Sequence, residues 1–146
     1  MPDGESSPGA VPRFEFATAT RVVFGRGTSA ELPATTASYG RRALLVTGGA
    51  GATRWTSLIT ALRGALESIE IFPVASEPTV PLVEMGVTTA RKHRCDVVLA
   101  LGGGSAIDGG KAMAALATNP GSALDYLEVV GPGPALTQPS LSLIAV

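Results

Sequence analysis

The chain predicts an α/β fold: a parallel sheet with helices on both faces. Three observations carry that expectation. The runs Ala43–Thr47 and Asp96–Leu101 are almost continuously apolar, the mark of strands covered on both sides. Strand-like runs alternate with segments of helical spacing, the pattern of parallel sheets with right-handed crossovers. Finally, Gly102-Gly103-Gly104-Ser105 directly follows the second run and opens an Ala-rich segment. Strand, glycine turn and helix start therefore follow one another, an order that brings backbone N–H groups up to a phosphate. In such sheets ligands bind at the carboxyl ends of the strands.

The elements follow in order. Residues 1–12 form a Pro-, Gly- and Ser-rich tail, expected to be flexible and lacking the apolar centre of a signal peptide. Residues 13–146 form one domain. Phe14-Glu15-Phe16 alternates as a short edge strand, and Arg21–Phe24 is a second, turned by Gly25-Arg26-Gly27. Thr28 or Ser29 can cap a helix to about Ser38, with Pro33 delaying its regular start and Gly40 ending it. Ala43–Thr47 is a strand and Gly48–Gly51 a loop. Thr53–Leu66 has helical spacing, with Trp55, Leu58, Ile59, Leu62 and Leu66 on one side. Ile69–Phe72 is a strand. Thr79 caps a helix from Pro81 to about Arg94, with Leu82, Met85, Val87 and Ala90 as its apolar side. Asn119-Pro120-Gly121 stops the last long helix, Ala123–Leu127 adds a helical turn, and Gly131–Pro134 is a loop. Leu141–Val146 reads as another buried strand. A chain that stops inside a core strand is expected to be the front part of a longer parent, its cofactor domain cut at the C-terminal end.

Composition narrows the classes of function. With 146 residues, 45% apolar and 16% charged, the chain can bury a real core. A net charge of −1 gives no pull toward nucleic acid or an anionic membrane surface. No apolar run is long enough to span a bilayer. Cys95 is alone, so there is no internal disulfide, and a cytoplasmic location is expected. One histidine and one cysteine cannot make a His-rich transition-metal site. His93, among Arg91, Lys92 and Arg94, reads as a cation at a helix end. Cys95 reads as a packing residue.

Two common phosphate motifs nearly match and fail. Gly25-Arg26-Gly27-Thr28-Ser29-Ala30 fits G-x-G-x-x-A, but no acid for a ribose occurs between Glu31 and Glu67. That segment reads as a structural turn. Gly110-Lys111 is followed by Ala112, so a Walker loop lacks its hydroxyl for magnesium. Gly102, Gly103 and Gly104 remain. Three consecutive glycines cost backbone entropy, and a turn needs fewer; the rest suit a ligand lying against the backbone. Ser105 can cap the helix and bond a phosphate. Asp108 can cap the N-terminus or bond a ligand. Lys111 can balance Asp108, approach an anion, or lie in solvent.

Gly102-Gly103-Gly104-Ser105-Ala106-Ile107-Asp108-Gly109-Gly110-Lys111 resembles the GGGSxxDxxK motif of the iron-containing (group III) alcohol dehydrogenases. Phe14 with Arg21–Gly25, Glu77-Pro78-Thr79-Val80, Cys95-Asp96-Val97-Val98 and Ala117-Thr118-Asn119-Pro120 resemble family segments in the same order. The resemblance covers roughly residues 14–146. It implies an NAD- or NADP-binding domain in which Gly102, Gly103, Gly104 and Ser105 hold the pyrophosphate. By the same resemblance Asp108 faces the nicotinamide and the substrate cleft, and Gly48 faces the adenosine ribose. Many relatives carry aspartate at the Gly48 position, which repels a 2′-phosphate. Glycine there, with Arg54 nearby in sequence, implies that NADP is tolerated or even preferred. Glu77 departs from the asparagine of many relatives. The resemblance also implies a helical domain beyond this chain, supplying an aspartate and histidines for iron or zinc.

Three functions are therefore in view. The first is the cofactor-binding half of a metal-dependent NAD(P) alcohol dehydrogenase acting on a small alcohol or carbonyl substrate, inactive by itself. The second is a fragment of an enzyme like glycerol dehydrogenase or dehydroquinate synthase. The third is a non-catalytic nucleotide-binding module. A homodimer is expected through the exposed N-terminal edge strand.

Overall fold

The computed structural model describes residues 14–17, 21–49, 51–127 and 130–146. The expected tail, residues 1–12, lies outside them. A hairpin of β1 (Phe14–Ala17) and β2 (Arg21–Phe24) pairs antiparallel, Phe14 opposite Phe24. The main sheet holds β3 (Arg42–Thr47), β4 (Ser68–Pro73), β5 (Val97–Leu101) and β6 (Ser142–Ala145). Its order is β4-β3-β5-β6 and every pairing is parallel. Helix α1 (Leu32–Tyr39) leads from the hairpin into β3, and the crossovers carry α2 (Thr56–Ala65), α3 (Val80–Lys92) and α4 (Gly104–Thr118). Short 3-10 turns occupy Thr28–Glu31, Ala52–Trp55 and Ala123–Tyr126. Among the described residues, no helix is long and apolar enough to cross a membrane.

The sheet has two packed faces because side chains alternate along each strand. Leu44, Val46, Val98 and Ala100 meet Val83, Val87, Met113 and Ala114 of α3 and α4. Ala43, Leu45, Val97 and Leu99 meet Leu32, Ile59 and Leu62 of α1 and α2. Both faces of β3 and β5 are thus dry, which is why those runs read as continuous apolar sequence.

The first helix starts late, as Pro33 requires, through the 3-10 turn at Thr28–Glu31. The expected side-chain cap is not made. Thr28 Oγ1 donates to Gly25 O at 3.0 Å and tightens the turn instead. Gly40 ends α1, and Thr79 caps α3 by accepting from Leu82 N at 3.4 Å, both as the sequence implies.

The expected apolar side of α3 needs correcting. Met85 is 60% exposed, and the buried residues are Val83, Gly86, Val87 and Ala90. The reason is the neighbour. A Cβ at Gly86 would run into the side chain of Met113, so glycine lets α4 lie close and turns that stripe inward. Helix α3 also ends earlier than Arg94. Arg94 adopts φ 52°, its N–H donates to Arg91 O at 3.1 Å, and Cys95 N donates to Ala90 O at 2.8 Å. This is a Schellman ending, in which Cys95 and Ala90 share the buried contact that closes it.

Two long-range clamps fix the entry of the sheet and the end of α4. Asp96, just before β5, accepts from Arg41 N at 2.7 Å and Arg42 N at 2.8 Å, which fixes the entry of β3. Arg91 of α3 donates to Leu116 O at 2.7 Å and Ala117 O at 3.1 Å, satisfying carbonyls that end α4.

Candidate functional site

The glycine turn sits where β3 and β5 end side by side. Gly48 N donates to Leu101 O at 3.1 Å, and Gly102 N donates to Val146 O at 2.9 Å. These bonds tie three strand ends together directly under the start of α4. Gly102 has φ 152°, and a Cβ there would stand 3.1 Å from both Ala106 Cβ and Gly48 N. Only glycine lets the turn fold so closely against its neighbour strand. Gly103 and Gly104 differ: an added Cβ meets nothing within 4 Å at either. Their backbone faces open space.

Helix α4 begins at Gly104, and Gly103 offers it no side-chain cap. Ala106 N and Ile107 N both donate back to Gly103 O, at 3.1 and 3.2 Å. The N–H groups before them belong to a helix N-terminus with its partial positive charge. The 15-residue α4 thus presents an exposed, uncapped N-terminus behind an open glycine turn, an arrangement that can receive an anion.

The structure brings Gly48, Gly102, Gly103, Gly104 and Ser105 together at this edge of the sheet. Two expected caps are corrected. Ser105 lies inside the first turn of α4, and its side chain does not cap. Asp108 does not cap either. Its Oδ1 accepts from Lys111 Nζ at 3.4 Å on the outer face, with both side chains more than half exposed. An exposed pair of this kind contributes little stability. Both caps fail for one reason: the helix starts one residue earlier than the serine, on glycine. Pro78 lies near Gly109, placing the Glu77–Thr79 loop against the second turn of α4.

One residue at this edge escaped sequence reasoning. Thr47, the last of β3, is fully buried, and no protein group reaches its Oγ1. An unmet buried hydroxyl costs about 1–3 kcal/mol. Among the described residues it is the one such side chain.

Among the described residues no three His, Cys, Asp or Glu side chains converge. His93 caps the end of α3, before β5, at the other end of that strand from Gly102. Its Nδ1 lies 3.0 Å from Glu70 Oε1, a carboxylate partner beyond the helix-end interaction that the sequence indicated. Cys95 is buried as expected. Burial, with smaller contributions from Glu70 and Asp96, pushes its thiol from 9.0 up to about 11. The thiol is therefore neutral at pH 8, and little thiolate is present to react. We expect a maleimide at pH 8 to label the folded chain far more slowly than the chain in denaturant. Equal rates would show that Cys95 is open. The sign of the linked stability follows. The folded thiol holds its proton longer than the unfolded one, so this contribution is intact below pH 9 and is lost as pH rises toward 11.

The rejected segment Gly25–Ala30 forms a turn, with Gly27 at φ 79° leading into the 3-10 turn. Arg54 stands in the 3-10 turn after the Gly48–Gly51 loop, its guanidinium 5.3 Å from the Trp55 ring centroid. A cavity of about 800 Å³ opens between β2, α1 and β6, with Lys111 among its lining residues.

The model of the family described as iron-containing alcohol dehydrogenase covers residues 19–146. The probable NADH-dependent butanol dehydrogenase 1 of Bacillus subtilis is 37% identical over 118 residues, 78% of this chain and 30% of that protein. The crystal structure of NADH-dependent butanol dehydrogenase A from Thermotoga maritima superposes with a TM-score of 0.77 at 25% identity. The match covers 93% of this chain and 34% of that one. Sulfoacetaldehyde reductase from Bifidobacterium kashiwanohense, solved in complex with NAD+, gives 0.71 at 31% identity, covering 84% and 32%. The chain thus spans about a third of the length of these relatives. Sequence motif, parallel sheet and open glycine turn agree with that match, and the chain belongs to the iron-containing alcohol dehydrogenase family.

Proposed function

We propose that residues 13–146 are the dinucleotide-binding part of a metal-dependent NAD(P) alcohol dehydrogenase that interconverts alcohols and carbonyls. The observation that carries this is the contrast within the glycine turn. Gly102 is pressed against β3, while Gly103 and Gly104 lie open before an uncapped helix. On this reading Gly103, Gly104 and Ser105 receive the pyrophosphate, Gly48 adjoins the adenosine ribose, and Asp108 lies toward the nicotinamide. A metal bound elsewhere in a full-length protein would polarise the alcohol oxygen. This chain's own part is to hold the dinucleotide and orient its nicotinamide. A cytoplasmic location and a homodimer through the hairpin edge belong to the same proposal.

Titration calorimetry of the chain with NAD+ and NADP+ tests it. We expect weak binding of both, with Kd on the order of 1 mM. With no acid at Gly48 to repel a 2′-phosphate, the two affinities should lie within about threefold, since no strong charge term separates them. Binding of NAD+ with complete rejection of NADP+ would overturn the part assigned to Gly48. No binding of either would overturn the cofactor reading itself. The purified chain with added iron or zinc should not oxidise butanol, and turnover would refute its assignment as a binding part alone.

A further inference from the structure

Thr47 closes β3. Val74 N donates to Thr47 O at 2.8 Å, and the next residue, Gly48, donates to Leu101 O at 3.1 Å. The alternation along the strand puts its side chain on the same face as Ala43 and Leu45, under the loop that leads into α2. Its strand partners there are Pro73 and Leu101. A valine has the same shape, an equal preference for strands and no polar atom to bury. A hydroxyl is nevertheless present, fully buried, with no protein partner. A buried polar group without a protein partner calls for a bound water or a functional role.

We propose that Thr47 is a positioning residue of the dinucleotide site, its hydroxyl anchoring the ribose end at Gly48 through one enclosed water. The inference rests on the cofactor reading above and extends it to the strand end behind the loop. A water bonded to Thr47 Oγ1 takes a second partner from the ligand side, and a bridge of this kind is nearly as favourable as a direct hydrogen bond. The hydroxyl then serves binding at the expense of the fold, and the two effects separate in one variant.

The test is Thr47→Val, with Thr47→Ser as the control that keeps the hydroxyl. Thermal melting and calorimetric titration with NAD+ and with inorganic pyrophosphate are the readouts. Thr47→Val should melt about 3 °C above the parent chain and bind NAD+ about fivefold more weakly. Its affinity for pyrophosphate, which lacks the ribose, should not change. Thr47→Ser should bind NAD+ within about twofold of the parent, as its hydroxyl is retained. A Thr47→Val chain that melts lower would show that the hydroxyl serves only the fold, and the inference would fail. Unchanged NAD+ binding in that variant would sink the inference while leaving the cofactor reading intact. Absence of NAD+ binding by the parent chain would sink both.

Discussion

Gly102→Ala will destabilise the carboxyl end of the sheet, whereas Gly103→Ala will leave the fold intact and remove dinucleotide binding. The two positions are adjacent, and their surroundings are opposite. At Gly102 a methyl group would have to share φ 152° with contacts of 3.1 Å to Gly48 N and 3.2 Å to Gly48 Cα. Backbone atoms held in a sheet cannot retreat as a flexible side chain can. Strain of this kind costs about 1–3 kcal/mol before any clash is counted. A fall of roughly 5–10 °C in melting temperature is expected. Gly103 has φ −81°, and its added Cβ meets nothing. Alanine there should change the melting point by less than about 2 °C, as at a tolerant surface site. The same methyl group would occupy the space in which a pyrophosphate must approach the backbone. Melting curves and NAD+ titrations on both variants decide the matter. A Gly103→Ala chain that binds NAD+ as tightly as the parent would show that the open space is not the binding surface.

The second large effect is expected at Asn119, which ends α4 and is 1% exposed. Its Nδ2 donates to Ala115 O at 2.8 Å and Gln138 O at 3.0 Å. Its Oδ1 accepts from Thr137 N and Gln138 N, both at 2.9 Å. One side chain thereby joins the end of α4 to the strand-leading loop before β6. Asn119→Ala removes these bonds and leaves the backbone groups of Ala115, Thr137 and Gln138 without their side-chain partner. The expected loss is about 3 kcal/mol, or about 10 °C in melting temperature. Asn119→Asp keeps the two acceptor bonds and loses the donors, so it should fall between. The consequence reaches the site. β6 ends at Ala145, and Val146 O accepts from Gly102 N, so a loosened β6 also loosens the glycine turn. Hydrogen exchange should show faster exchange at Gly102 in Asn119→Ala. An Asn119→Ala chain that melts like the parent would mean that the loop is held by other contacts.

Much of this protein was legible locally. The apolar runs of β3 and β5, the Thr79 cap and the Gly40 stop are each decided by neighbours in sequence, through strand burial, capping and backbone freedom. The glycine turn was legible for the same reason: three glycines before a helix state their own geometry. The errors lie where a distant segment competes. Met85 and Val83 offer two nearly equal stripes on α3, and Met113 of α4 selects the one that contains Gly86. Ser105 looks like a cap, but the helix starts at Gly104 behind the close fit of Gly102 to Gly48, two residues sooner than a Ser105 cap would allow.

The amino-acid sequence alone determined the parallel α/β class, the place of the glycine turn between β5 and α4, and the presence of a single histidine. These follow from pattern and inventory, which need no knowledge of packing. Only the tertiary structure decided which glycines are pressed and which are open, and which arginine closes α4. It also paired His93 with Glu70 and left the Thr47 hydroxyl unpartnered. Those depend on which strand ends and helix faces meet in space, and contacts between residues far apart in sequence leave no local period to read.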